Sequence, residues 1–362
     1  MTVTSNSGAS LEEESVAGES AGEGLTAKCW AAGTAGMLAG VAWPAMREPW
    51  VSWLEETLGQ EVERCRPVGG GCSHRAWALE LAGGGRLFAK TNLASQLPVL
   101  EAEMEGLLAL AAAAGAELVV PRPMHCALAG SQALLVMDWL DLTSDGPGLG
   151  VPGVGVTEAD LAWESAGAAL ARLHRRSSAS GSPGFGWPRD NFIGSATQRN
   201  RWSQDWGNFF TEQRLGPQLK LAERSGRLLR GSRRLLELTP QWLNGHGAVP
   251  CLVHGDLWGG NAARMSPSSI TPSSPGVALF DPAVYWGDRE VDLAMAQLFG
   301  GFPPVFFSGY DGEWPRPAGH SLRCRIYNLY HLLNHANLFG GGYWGQAQSL
   351  IAGLLDGSLG SW

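Results

Sequence analysis

Apolar positions along this chain change their period once, near its middle. Between Cys65 and Asp138 they fall in short strand-like runs separated by turn residues: about Cys65 to Val68, Ala76 to Leu81, Arg86 to Thr91, Met124 to Leu128 and Ala133 to Asp138. The break at Gly83-Gly84-Gly85 predicts an antiparallel hairpin, and one helix is predicted over Val99 to Ala114. Order is predicted to begin near Glu48-Pro49, where proline suits a first helical turn and Trp50, Trp53, Leu54 and Leu58 recur on one face. Beyond a Gly/Pro-rich linker, Asp145 to Gly155, the pattern becomes mainly helical. Leu161, Ala166, Ala169, Leu170 and Leu173 mark one amphipathic helix, and Ile326 to Asn337 and Gln346 to Leu355 mark the last two. A short hairpin interrupts them, Ala262 to Met265 and Val277 to Phe280 about a Ser/Pro loop. The expected class is α+β with two lobes: residues 46–140 form a small antiparallel sheet with one main helix, and residues 141–362 form a larger α-rich lobe.

Residues 1–45 are expected to be a disordered tail, acidic at first and then Gly/Ala-rich, because so few large apolar side chains cannot offset the entropy of ordering. Glu12, Glu13, Glu14, Glu19 and Glu23 carry five of the chain's charges, so the formal net charge of -8 leaves about -3 for the body. That balance gives no reason to expect a nucleic-acid or membrane partner. The uncharged run from Cys29 to Met46 is built of Ala and Gly with two Trp and a Pro, a poor composition for a membrane span. Six scattered cysteines without a CxxC pair predict neither a zinc ribbon nor a disulfide framework, and a reducing cytoplasm is the expected setting.

Candidate chemistry concentrates in His254-Gly255-Asp256-Leu257-Trp258-Gly259-Gly260-Asn261 and in Phe280-Asp281-Pro282-Ala283. Protein kinases place an Asp and an Asn five positions apart on a catalytic loop and a later Asp at a strand end, to hold the acceptor hydroxyl and metal-bound ATP. Asp256, Asn261 and Asp281 repeat that order. Asp256 would orient the hydroxyl and accept its proton, while Asn261 and Asp281 would offer oxygens to Mg²⁺. Lys90 ends an apolar strand and needs a partner or an anion; Glu103 is the favoured partner, with Glu101 and Glu105 competing, and ATP phosphates are the expected anion. Gly69-Gly70-Gly71 could lie over those phosphates, a weak signal in a chain with 50 glycines. Asp138-Trp139-Leu140 is the expected hinge offering backbone groups to adenine. His254 is expected to brace the loop, above a buried network of Asp288, Arg289, Glu290 and Asp292. Arg224, Arg227, Arg230, Arg233 and Arg234 are read as the solvated face of a basic helix.

These residues resemble the fructosamine kinase (ketosamine-3-kinase) family, near the aminoglycoside and choline kinases, over about residues 46–357. The likeness rests on the loop from Val68 to Ala76, Phe88-Ala89-Lys90, Gly184-Phe185-Gly186-Trp187, Asn191-Phe192-Ile193-Gly194 and Trp202-Ser203-Gln204-Asp205-Trp206. It continues through Arg214-Leu215-Gly216-Pro217-Gln218-Leu219, the two motifs above, and Tyr330-His331-Leu332-Leu333-Asn334-His335. The resemblance implies a protein kinase-like fold and ATP-dependent phosphorylation of the 3-hydroxyl of a ketosamine, either a small molecule or a glycated protein. The resulting 3-phosphate falls apart and releases the amine.

Asn191, Trp202, Asp205, Trp206 and Trp258 are the candidates for the sugar-amine pocket; packing within the lobe is the other reading of the tryptophans. Cys72 matches a glycine-loop cysteine of relatives for which redox control is proposed, so a disulfide-linked homodimer is one expectation and a space-filling thiol the other. A kinase of another small hydroxyl or amine compound, and a nucleotide-binding pseudokinase, are the alternatives. Retention of Lys90, Asp256, Asn261 and Asp281 weighs against the second.

Overall fold

The computed structural model describes residues 48–69, 74–115, 118–143, 157–266 and 276–358. The predicted tail, Gly70, Gly71 and Cys72 of the glycine loop, the Gly/Pro linker and most of the Ser/Pro loop lie outside the described residues.

Five antiparallel strands form one sheet in the order β1-β2-β3-β5-β4: β1 (Val62–Val68), β2 (Arg75–Leu81), β3 (Arg86–Leu93), β4 (Pro123–Ala129) and β5 (Gln132–Asp138). The alternation of side chains along a strand decides what each face receives. On one face Trp77, Leu79, Leu87, Ala89, Leu134 and Val136 pack with Trp50, Val51 and Leu54 of α1 (Pro49–Leu58). On the other, Phe88, Ala133, Leu135 and Met137 pack with Leu100 and Leu107 of α2 (Leu97–Ala114). Leu54 is fully buried, worth roughly 1.5–3 kcal/mol. Lys90 is in phase with Phe88, so its strand position turns it towards α2, and this single fact of register brings it to Glu103.

The helical part begins with α3 (Glu158–Ser178), whose Thr157 and Asp160 form a reciprocal capping box. It lies along α8 (Pro304–Glu313) at a distance only glycine permits: a Cβ on Gly167 would stand 1.9 Å from the Phe306 carbonyl oxygen, and one on Gly309 2.0 Å from that of Glu164. Trp163, Ala166, Ala169, Leu170 and Leu173 are buried, whereas Leu161 is 57% exposed. The sequence reading put Leu161 on the apolar face; about 200° of rotation from Trp163 turns it to solvent instead.

A second core gathers around α7 (Glu290–Leu298), α9 (His320–Phe339) and α10 (Tyr343–Asp356), with α4 (Trp206–Phe209), α5 (Gly216–Arg224) and α6 (Ser232–Asn244) against it. Three small pairings carry the loops of interest: β6 (Asn191–Ile193) with β7 (Ala196–Gln198), β8 (Cys251–Val253) with β11 (Tyr285–Gly287), and β9 (Ala262–Arg264) with β10 (Val277–Leu279). The arginines from Arg224 to Arg234 do not share a helix: they straddle the end of α5, an exposed turn and the start of α6. No described helix is long and apolar enough to cross a membrane.

Candidate active site

Lys90 is 5% exposed and Glu103 8%, and the ammonium lies 2.7 Å from Glu103 Oε1. The same ammonium meets Asp281 Oδ1 at 2.5 Å, across 191 residues of sequence. Burial opposes the charge on Lys90, but Asp281 and Glu103 outweigh it and hold the pKa above its ordinary value. Burial raises the Glu103 pKa against the lowering pull of Lys90, and the charge of Asp281, which shares that ammonium, adds to the rise. Of the competing glutamates, Glu105 pairs instead with Arg189.

Asp281 is the one non-glycine among the described residues with positive φ, at 56°. Aspartate tolerates this left-handed conformation better than most side chains. The turn lets Phe280 stay in the core while the next side chain swings to Lys90. Two partners fix it from behind: Ala283 N–H donates to the His254 carbonyl, and Phe280 N–H to that of Asn261.

The loop after β8 is folded as tightly. Gly255 has φ 81°, and a Cβ there would stand 2.1 Å from the Ala283 carbonyl oxygen. Asn261 Nδ2 donates to the Asp256 carbonyl at 2.9 Å, to Asp256 Oδ2 at 3.2 Å and to the Asp281 carbonyl at 3.3 Å. One carboxamide therefore ties the two acids together. Burial, and then the charge of Asp281, push the Asp256 carboxyl up to about 7.

His254 is fully buried, its Nε2–H donating to the Phe280 carbonyl while Nδ1 accepts from Asp256 N–H. Burial holds its pKa below the ordinary value, and with both ring nitrogens engaged it braces the loop. Beneath it Asp292 accepts from the N–H groups of His254 and Gly255 and pairs with His174. Burial opposes the Asp292 charge, yet these donors hold its pKa below the usual carboxylate value. His174 escaped the sequence reading, although a histidine one position after Leu173, on the apolar side of α3, was a usable signal.

Deeper still, Asp288 takes His246 and Tyr327 while Glu290 takes the Arg323 fork at 2.6 and 2.9 Å. His246, Asp288 and Glu290 have the spacing of a metal cluster, but the two carboxylates are spent on these partners, and only His246 Nδ1 is left without one among the described residues. Arg289 joins through the Trp314 and Pro315 carbonyls.

Asp138 ends β5, and Trp139 and Leu140 follow it directly. Asp138 pairs with Arg122, Trp139 Nε1–H donates to Asp141, and Leu140 is buried with Phe280. The backbone groups of Trp139 and Leu140 have no backbone hydrogen-bond partner among the described residues. Gly69, the described member of the glycine run, is exposed at the end of β1.

The residues fit Mg²⁺ as well as ATP. Asn261 spends its nitrogen on the loop, so its oxygen has no partner among the described residues, and the Asp281 side chain is 34% exposed. Both are the hard oxygen donors that ion takes.

The expected sugar pocket is corrected in part. Trp206 is 2% exposed, stacked on Phe209 with Nε1–H donating to Tyr327, so neither indole face is open. Asp205 caps α4 and accepts from Asn244. Asn191 is spent on Val284, Gln198 and Asn200, and so fixes the segment that follows Asp281. Hydrogen bonding inside the lobe claims all three, which composition alone could not reveal. Trp202 is half-buried against Gly186. Trp258 belongs to the catalytic loop itself, its ring folded over Gly260.

Comparison with known proteins agrees with this geometry. Residues 46–357 match the fructosamine kinase family. A probable ketoamine kinase of Synechocystis is 40% identical over 308 residues, covering 84% of this chain and 96% of its own length. The chloroplastic protein-ribulosamine 3-kinase of Arabidopsis thaliana is 35% identical, over 86% of this chain and 89% of its own. A solved structure of a candidate fructosamine-3-kinase from Thermobifida fusca superposes with a TM-score of 0.66 at 27% identity, covering 84% of this chain and 98% of its own. The chain belongs to the fructosamine kinase family.

Proposed function

We propose that this protein is a ketosamine 3-kinase: it transfers the terminal phosphoryl group of Mg-ATP to the 3-hydroxyl of a sugar-derived ketosamine, free or on a protein. The observation that carries the reading is the joint placement of Lys90, Glu103 and Asp281 with Asp256 and Asn261, two acids bridged by one carboxamide beside one buried ammonium. Family membership supports the acceptor class.

Lys90, held by Glu103, is placed to meet phosphate oxygens. Asn261 and Asp281 would hold Mg²⁺, which supplies charge neutralisation at the phosphates when bound. Asp256 keeps Oδ2 on Asn261 and leaves Oδ1 for the acceptor hydroxyl, whose line of approach it fixes and whose proton it takes. Phosphoryl transfer is largely loose, so positioning contributes more than basicity. The backbone of Trp139 and Leu140 would meet adenine, with Gly69 to Gly71 over the phosphates. We assign residues 46–140 to nucleotide binding and 141–362 to catalysis and acceptor binding. The scattered cysteines, with no CxxC pair in the sequence, support a reducing, cytoplasmic setting.

The test is consumption of Mg-ATP with fructosamine, ribulosamine and aminoglycoside acceptors, with Asp256→Ala as control. The reading expects turnover on a ketosamine and a loss of 10³-fold or more, as an order of magnitude, in the variant. Turnover on the aminoglycoside alone, or an unchanged variant, contradicts it.

A further inference from the structure

The register of the sheet brings one more side chain to the side of the Lys90 ammonium. In the antiparallel pairing of β2 with β3, Arg75 stands opposite Thr91 and Ala76 opposite Lys90. Continued by one residue, that register sets His74 opposite Asn92 and in phase with Ala76, which packs with Phe88 on the face covered by α2. The side chains agree, since Asn92 Nδ2 and His74 Nδ1 are 2.8 Å apart. His74 is therefore the diagonal neighbour of Lys90, a relation that spans about 7–8 Å between such positions. Lys90 and Asp281 are the charges that act on its ring.

The partner of His74 decides which of its ring nitrogens carries the hydrogen. Leu93 N–H can only donate, and it donates to Asn92 Oδ1 at 2.8 Å. The other end of that carboxamide is therefore its NH₂, which donates to His74 Nδ1. Because Nδ1 accepts, the hydrogen of the neutral ring sits on Nε2, where no acceptor meets it among the described residues. Burial, and then the Lys90 charge, lower the His74 pKa to about 4 against the pull of Asp281, so the ring is neutral at pH 7. Asp281 and Glu103, the carboxylates on this side, are turned to Lys90 instead. A partly buried N–H donor with a fixed tautomer and no protein acceptor suits an oxygen of a bound anion.

We propose that His74 is a phosphate-binding residue of the nucleotide site, its Nε2–H donating to a phosphate oxygen of ATP beside the Lys90 ammonium. This rests on the reading of Lys90 as the partner of the ATP phosphates and extends it to a second side chain. The two side chains divide the task by charge. Lys90 supplies attraction, whereas a second cation in the position of His74 would repel it across the sheet; a neutral donor adds direction without that repulsion. Asn92 is a positioning residue, which acts by holding the tautomer that offers the nucleotide a donor rather than a lone pair.

The test is calorimetric titration of the full chain with Mg-ATP, Mg-ADP and adenosine at about pH 7, for wild type, His74→Ala and Asn92→Ala. Losing one hydrogen bond to a charged group, His74→Ala is expected to bind both Mg-nucleotides about tenfold more weakly and adenosine within about twofold of wild type. Asn92→Ala, which frees the tautomer, is expected to weaken both nucleotides about two- to fourfold. Nitrogen NMR of the histidine rings, with His74→Ala to assign the signal, separates this role from a structural one. His74 is expected in the Nε2–H form in wild type, as a mixture of forms in Asn92→Ala, and with its Nε2–H signal shifted by Mg-ADP but not by adenosine. Melting temperatures check that the variants fold. Affinity for Mg-ATP that survives His74→Ala within about twofold, an equal loss for adenosine, or an Nδ1–H ring in wild type overturns the proposal. Failure of wild type to bind Mg-ATP overturns the nucleotide reading itself, a distinguishable result.

Discussion

Two clusters of buried charge flank the catalytic loop, and they differ in what is left over. Beneath the loop, Asp288, Glu290 and Asp292 have their oxygens met by His246, Tyr327, Arg323, His174 and backbone N–H groups. Above it, Lys90 serves two carboxylates at once, Asp256 has one oxygen without a partner among the described residues, and Asn261 turns only its nitrogen inward. A satisfied cluster offsets the cost of burying its charges and fixes geometry; it has no donor or acceptor to offer a substrate. An unsatisfied one stores that capacity for ligands and is poorly stabilised without them. The contrast assigns stability to the lower cluster and chemistry to the upper one, from residues of the same types on either side of one loop.

The largest expected effect that would break this division is at Lys90. Lys90→Met is expected to lower kcat/KM roughly 10²- to 10³-fold, the usual consequence of removing a preorganised charge from a phosphoryl or oxyanion site. Its stability should change little, since burial already favours a protonated Glu103 once the ammonium is gone. Steady-state kinetics with a thermal melt checks both; a melting temperature that collapses with activity would make Lys90 a structural residue.

Asp292→Asn sharpens the other side. It loses charge-assisted bonds to two backbone donors and to His174, at a cost of about 2–3 kcal/mol near pH 7. The native carboxyl lies below its unfolded value. Its contribution is therefore present above about pH 4 and is lost as pH falls through the native pKa. Urea unfolding of wild type and variant should show the gap at pH 7 and its narrowing in acid; a gap independent of pH would mean that the charge is not what matters.

A smaller effect is expected at Trp206, the residue whose expected role changed most. Trp206→Phe removes one buried hydrogen bond to Tyr327 and part of an aromatic stack, about 1–2 kcal/mol. The acceptor KM should stay within twofold. A KM raised tenfold at unchanged stability would return Trp206 to the sugar pocket.

The sheet, its helix and the Lys90–Glu103 pair were legible because alternation along β3 sets which face a side chain meets. The spacing of Asp256, Asn261 and Asp281 was legible because a loop that short leaves few arrangements. Other features carried no local signal. Nothing in Phe280-Asp281-Pro282 announces a left-handed aspartate, since that conformation comes from Ala283 and Phe280 bonding back to the catalytic loop. The π-helix over Phe210–Leu215 follows no periodicity of its own. Indole-rich strings were ambiguous because Trp206 and Trp258 look alike in sequence, while one is sealed by Phe209 and Tyr327 and the other rides on the loop.

The division between the clusters is tested most directly by one paired measurement, kcat on a ketosamine and melting temperature for Asp281→Asn and Glu290→Gln. Asparagine tolerates the left-handed backbone and relieves the crowding of two acids on Lys90, so Asp281→Asn should keep or raise the melting temperature while kcat falls at least about 10²-fold. Glu290→Gln breaks the buried Arg323 fork and should cost about 3–5 kcal/mol of stability, while the enzyme that remains folded turns over within a few-fold of wild type. Loss of stability in the first variant, or loss of turnover without loss of stability in the second, would contradict the account.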